Sequence, residues 1–143
     1  MKVKIVNASR NPLPKYKSER ASGMDIQAAI EAPVTLGPLG RKLIPTGIRV
    51  ELPRGYEAQI RPRSGLAFKY GLTCLNSPGT IDADYRGEIK VILINLSSEA
   101  FTINEGDRIA QMIIAPYISI EWEESDQLNE SIRGVHGFGS TGI

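Results

Sequence analysis

Asn76-Ser77-Pro78-Gly79-Thr80-Ile81-Asp82-Ala83-Asp84-Tyr85-Arg86-Gly87-Glu88-Ile89-Lys90-Val91-Ile92-Leu93-Ile94 sets two carboxylates, a phenol and a guanidinium beside an apolar run. Gly and Pro punctuate its first half as they do in turns, and Ile89 to Ile94 reads as a strand. The stretch predicts a hairpin whose tip and shoulders carry polar groups. A turn that only reversed the chain would need Asn-Gly or Asp-Gly and little more. By itself the cluster would also pass for a solvated loop; the rest of the chain argues otherwise.

Working outward, strand signals dominate. Val3–Val6 opens the chain, and Ile48–Leu52 and Tyr56–Arg61 alternate apolar with polar residues, as half-buried strands do. Lys90–Ile94 and Ile109–Ile114 are nearly continuous apolar runs, which predicts strands buried on both faces. Ile118–Trp122 reads as one more short strand. Turn signals recur at Gly37-Pro38, Pro45-Thr46-Gly47, Pro53-Arg54-Gly55, Asn76-Ser77-Pro78 and Asn104-Glu105-Gly106-Asp107. Only Ser64–Tyr70 offers a helical turn or two. Short strands at this spacing predict an all-β fold, a jelly roll or β-sandwich-like barrel, followed by a flexible glycine-rich C-terminal arm. The boundary falls between residues 1–122 and 123–143.

The chain has 143 residues and a formal net charge of +1. That length suits one domain with a core of its own. The near-zero charge provides no global basic field for nucleic acid, so anion binding must be local. The single cysteine, Cys74, excludes an intrachain disulfide framework and reads as a small buried residue. One histidine, His136, makes histidine-based zinc chemistry within one subunit a poor fit. The N-terminus shows no signal-peptide pattern, and no apolar stretch approaches the length of a membrane span. The expectation is a cytoplasmic protein with no membrane and no nucleic-acid partner.

Four further segments carry chemistry. Arg61-Pro62-Arg63-Ser64-Gly65-Leu66-Ala67 places two guanidiniums, a hydroxyl and a glycine directly after a strand. The opening of a helical turn offers free N–H groups, and Arg offers forked donors to phosphate oxygens. Gly106–Gln111 enters a strand with Asp107, Arg108 and Gln111. Ala21–Ile26 delivers Asp25 to the start of another. Arg133-Gly134-Val135-His136-Gly137-Phe138-Gly139-Ser140-Thr141-Gly142 reads as an arm that orders over a phosphorylated ligand. Its glycines admit an anion to backbone N–H groups, its hydroxyls add donors, and Phe138 adds a flat face. No Walker motif and no dinucleotide fingerprint is present. Scattered phosphate-binding parts on a β fold suggest a nucleoside triphosphate site.

These segments, in this order, resemble the five motifs of the trimeric dUTP pyrophosphatases (dUTPases). Ala21–Ile26 is similar to the first, Arg61–Ala67 to the second, Asn76–Glu88 to the third, Gly106–Gln111 to the fourth and Arg133–Gly142 to the fifth. The resemblance covers essentially the whole chain. Met24 departs from the family's usual aromatic residue, and His136 stands where the family is loosely defined.

The resemblance implies hydrolysis of dUTP to dUMP and pyrophosphate with Mg²⁺. It also implies a homotrimer of jelly rolls with active sites shared between chains. Asp82 aligns with the general base, while Asp84 is expected to support the turn. Asn76, Gly79, Thr80 and Ile81 are expected to read uracil and Tyr85 to lie beneath the deoxyribose, while Lys90 touches the ligand through its backbone. Arg63, Ser64, Gly65 and Gln111 are expected to hold phosphates from the body. Arg133, Gly139, Ser140 and Thr141 hold them from the arm, whose Phe138 stacks on uracil. No side chain is expected to bind the metal directly: substrate phosphates and waters hold it, with Asp25 as a candidate holder of those waters. Two alternatives stay open here, a dCTP deaminase of the same fold, which needs a glutamate for its chemistry, and a non-enzymatic trimeric β-sandwich module.

Overall fold

The computed structural model describes residues 1–137. Expected residues Phe138, Gly139, Ser140 and Thr141 lie outside the described residues. The strands are β1 (Lys4–Asn7), β2 (Gly23–Gln27), β3 (Val34–Leu36), β4 (Arg41–Glu51), β5 (Tyr56–Arg61), β6 (Leu72–Cys74), β7 (Gly79–Ile81), β8 (Ile89–Asn95), β9 (Phe101–Ile103) and β10 (Arg108–Pro116). One helix, α1 (Ser64–Tyr70), interrupts them. It stops at Gly71, whose left-handed backbone (φ 63°) returns its N–H to the Ala67 and Leu66 carbonyls.

Two four-stranded sheets run β1-β4-β8-β6 and β2-β10-β5-β7, with a β3-β9 ribbon beside them. All pairings are antiparallel. Alternation explains the core. In β4, Ile44, Thr46, Ile48 and Val50 point inward while the residues between them are exposed or half-buried. They meet Ile89, Val91 and Leu93 of β8 and, from the other sheet, Ile26, Ala58, Ile60 and Met112. The expected all-β sandwich is the observed fold.

Four local expectations are corrected. First, the opening segment is not a two-strand hairpin. β7 pairs with β5 in one sheet, whereas β8 pairs with β4 and β6 in the other. The polar turn therefore carries the chain from one sheet to the other. Second, Pro45-Thr46-Gly47 does not reverse the chain; it is a bulge within β4, where the register slips between Pro45 and Ile48. Gly47 takes φ +69°, and a Cβ there would strike Ser9. Third, β8 is not buried on both faces within this chain: Lys90 is exposed and Ile92 and Ile94 are half-buried. In β10, Gln111 and Ile114 are likewise half-buried. Fourth, Ile118–Trp122 forms no strand, and Ile118 and Trp122 are 90% and 87% exposed. Alternation makes a strand only where a neighbouring strand accepts its backbone, and none of the described residues does so here.

Candidate active site

The polar turn follows β7 directly. The Tyr85 N–H donates to the Asp82 carbonyl at 3.1 Å, which closes a four-residue turn over Asp82–Tyr85. Asp82 and Asp84 are exposed, and neither carboxylate has a hydrogen-bond partner among the described residues. The staple is Arg86, not Asp84 as expected: its Nη1 donates to the carbonyls of Ala83 (2.7 Å) and Tyr85 (3.0 Å). Tyr85 folds back over Gly87 and donates its hydroxyl to the Glu88 carbonyl at 3.0 Å. Gly87 permits this, because a Cβ there would run into the Tyr85 ring. Asp82 and Asp84 line a recess of about 770 Å³ with Leu52, Arg54, Glu57 and Tyr117.

Glu88 had no role in the sequence reading, yet it anchors the turn. Its Oε1 accepts the backbone N–H groups of Gly47 (2.8 Å) and Thr46 (3.2 Å), so it satisfies the β4 bulge. Its Oε2 stands 3.6 Å from Lys90 Nζ. A partner 42 residues away in sequence leaves no local signal.

Upstream of the turn, Asn76 and the cis Ser77–Pro78 bond lead into β7. The Asn76 amide lies over Gly79, where a Cβ would stand 3.1 Å from its Nδ2. Gly79 and Thr80 pair with Ile60 and Gln59 of β5. β7 is an edge strand, so its other side turns unpaired backbone groups outward.

A second cluster lies at the far end of β5. Arg63 caps α1 with an extended backbone, and its carbonyl accepts the N–H groups of Leu66 (3.1 Å) and Ala67 (3.0 Å). The first helical N–H groups, on Ser64 and Gly65, have no acceptor within the helix. Apart from its chain neighbours and the backbone of its own helix, nothing in the described chain lies within 4 Å of where a Cβ on Gly65 would stand. Gln111 pairs with Asp25 on one side and Arg61 on the other, and its Nε2 donates to the Pro62 carbonyl at 3.0 Å. Arg63 Nε donates to Asp25 Oδ1 at 3.0 Å, and Arg108 Nη1 to Asp25 Oδ2 at 3.1 Å. The sequence placed Arg108 in the Gly106–Gln111 segment but gave it no role of its own, because its ion pair spans 83 positions.

The two clusters are apart. Ile81 pairs with Ala58 while Gln111 pairs with Arg61, so Asp82 stands about 13 Å along β5 from the Gln111 row. Arg63 lies beyond that row. The Asp82 recess and the Arg63 recess share no lining residue. In the last described segment, Arg133 is exposed and closes a turn, its Nε donating to the His136 carbonyl at 3.0 Å. No group of three or more His, Cys, Asp or Glu is placed to hold a metal among the described residues. None of the described helices is long and apolar enough to cross a membrane.

A family model described as dUTPase matches residues 9–142. The chain belongs to the dUTPase family. Curated relatives of that family named deoxyuridine 5'-triphosphate nucleotidohydrolase include one from Cytophaga hutchinsonii, 61% identical over 140 residues (98% of this chain, 91% of the relative). Another, from Finegoldia magna, is 58% identical over 142 residues, 99% of both chains. Among solved dUTPases, that of Staphylococcus bacteriophage 80alpha with dUpNHpp superposes with a TM-score of 0.90 at 26% identity, covering 99% of both chains.

Proposed function

We infer that this dUTPase-family chain hydrolyses dUTP to dUMP and pyrophosphate, with Asp82 as the general base. The observation that carries the reading is the edge position of β7 beside an exposed carboxylate. Uracil presents acceptor, donor, acceptor at O4, N3–H and O2. The outward backbone of Gly79–Ile81, with Asn76 beside it, can match that pattern, and cytosine would leave those groups unpaired. Unpaired polar groups discriminate strongly. Tyr85, folded against Gly87, supplies a flat floor for the deoxyribose and leaves a 2′-hydroxyl no room.

Asp82 takes a proton from water as the water oxygen bonds to the α-phosphorus. The bridging oxygen to the β-phosphorus departs in line with pyrophosphate. A positioned base contributes about 10²–10⁴-fold. Arg63, Ser64, Gly65 and Gln111 hold the phosphates, and Lys90 adds a backbone contact at the head of β8. The site's oxygen donors, without a carboxylate cage among the described residues, fit a Mg²⁺ carried on the triphosphate and its waters. When bound, Mg²⁺ draws charge from the phosphates and fixes their conformation.

Because the two clusters open at different ends of β5, one chain does not bring its base and its phosphate grip together. The reading therefore includes a homotrimer in which Asp82 of one chain faces Arg63 of another. Residues 1–122 form the catalytic body. Residues 123–143 form an arm whose Arg133, Phe138, Gly139, Ser140 and Thr141 close over the nucleotide. The protein works in the cytoplasm, on free nucleotides, with no nucleic acid or membrane as partner.

Glu88, the one glutamate of the central segment, already accepts two backbone N–H groups. That engagement argues against deaminase chemistry there. Pyrophosphate release from the four dNTPs, dUTP and UTP, with and without Mg²⁺, tests the reading. Selective hydrolysis of dUTP is expected; ammonia released from dCTP, or no turnover of any nucleotide, overturns it.

A further inference from the structure

Glu88 stands where the polar turn enters β8, and both its carbonyl and its carboxylate are engaged. The register of β4 against β8 slips between Pro45, which pairs with Lys90, and Ile48, which pairs with Ile89. Thr46 and Gly47 fall inside the slip and have no partner residue in the ladder. Their N–H groups go instead to Glu88 Oε1, at 3.2 and 2.8 Å. Thr46 is buried, and its hydroxyl donates to the Ile89 carbonyl at 2.6 Å while accepting the Ile48 N–H at 3.2 Å. The bulge thus clamps the head of β8 from both a side chain and a backbone. It is itself pinned, because Gly47 holds φ +69° and its carbonyl accepts the Ala8 N–H at 2.8 Å. The Glu88 side chain is 25% exposed, and Lys90 Nζ, 3.6 Å from Oε2, offsets its charge in part. The carbonyl of this clamped residue is the seat of the Tyr85 hydroxyl. Removing the carboxylate would leave both bulge N–H groups without their acceptor.

We propose that Glu88, with the Thr46 hydroxyl beside it, is a positioning residue for sugar selection: the β4 bulge holds the carbonyl on which Tyr85 rests and so sets how close the phenol stands to the sugar. The proposal rests on the dUTP reading above, in which Tyr85 is the floor under the deoxyribose. Glu88 touches no substrate atom in this arrangement; it acts through the seat of the phenol. Without the carboxylate, the bulge and the head of β8 separate and the Glu88 carbonyl drifts. The phenol then loses its fixed height, and a 2′-hydroxyl finds room. Asp82 follows β7 at the other end of the turn, where Arg86 staples the backbone independently. The choice of sugar therefore suffers more than the chemistry on dUTP.

The test is steady-state kinetics of the full chain on dUTP and UTP with Mg²⁺. Glu88→Ala and Thr46→Val should each lower the ratio of kcat/KM for dUTP over UTP about three- to tenfold, through a rise in the UTP value. Their kcat on dUTP should stay within about threefold of wild type. Glu88→Gln keeps an acceptor oxygen for both N–H groups and Thr46→Ser keeps the hydroxyl, so each should recover most of the ratio. In a Tyr85→Phe background, where no hydroxyl reaches the seat, Glu88→Ala should lower the ratio no further. Asn95→Ala, a destabilising change at the far end of β8, controls for lost stability alone and should leave the ratio unchanged. An unchanged ratio in Glu88→Ala and Thr46→Val, or an equal fall in Asn95→Ala, overturns the proposal. Should Glu88→Ala not fold, Thr46→Val against Thr46→Ser decides. A wild-type chain that hydrolyses no dUTP sinks the dUTP reading instead.

Discussion

Tyr85 donates its hydroxyl to the Glu88 carbonyl at 3.0 Å, with its ring folded over Gly87. This contact fixes the phenol as a wall and not as a mobile side chain. Gly87→Ala places a methyl where the ring lies, so Tyr85 must swing out. The expected result is a loss of sugar discrimination: the ratio of kcat/KM for dUTP over UTP falls by about tenfold, which corresponds to one or two lost contacts. Steady-state kinetics on both nucleotides checks it. An unchanged ratio would remove Tyr85 from sugar recognition.

Asp82 is exposed and its carboxylate has no partner among the described residues, so the fold does not depend on it. Asp82→Asn is expected to lower kcat by about 10²–10⁴. Its unfolding free energy should stay within about 0.5 kcal/mol of wild type. Chemical denaturation beside stopped-flow kinetics separates the two quantities, and full turnover in the variant would refute the base assignment.

Asn95 is fully buried at the end of β8 and serves four bonds. Its Nδ2 donates to the carbonyls of Leu36 (3.0 Å) and Glu99 (2.7 Å), and its Oδ1 accepts the N–H (2.9 Å) and hydroxyl (2.8 Å) of Ser97. Asn95→Ala strips partners from buried backbone groups and leaves a void. A loss of about 2–4 kcal/mol is expected, read from the urea midpoint. A shift smaller than that of a surface alanine would show that water substitutes for the amide.

Burial pushes the Cys74 thiol up to about 11. Above the unfolded value, near 9.0, the unfolded chain releases this proton while the folded chain keeps it. Stability from this group is therefore complete below about pH 9 and drains away as pH rises toward 11, by roughly 2 kcal/mol. The measurable quantity is the difference between wild type and Cys74→Ala. That difference should narrow or reverse in favour of the variant across the window; parallel curves would contradict it.

How far the sequence reaches depends on the range of the interaction. β5 was legible to the residue, because Tyr56–Arg61 alternates cleanly between two turn signals. α1 was legible because Ser64–Tyr70 precedes a glycine that stops it. Most of the candidate site residues stood in the same motifs. What failed was long-range. Pro45-Thr46-Gly47 has turn chemistry but becomes a bulge, because Glu88 takes up its N–H groups. The polar turn looks like a hairpin tip, yet its two flanks join different sheets. Ile118–Trp122 has the right alternation and no strand beside it among the described residues. Asp25 read as a turn residue near a metal, and only the fold reveals two arginines converging on it.

The distance along β5 between Asp82 and the Gln111 row has a genetic reading. In the proposed trimer, two defects on opposite sides of that gap fall in different chains of the same site, so they are expected to cover for each other. Mixed assemblies of Asp82→Asn and Arg63→Ala chains, co-refolded in equal amounts, should regain roughly a quarter of wild-type activity by random association, although each parent is nearly dead. Mixing two Asp82 variants should restore nothing. In a cell carrying both alleles the pair would look healthy, and the inheritance of this enzyme would be that of its halves.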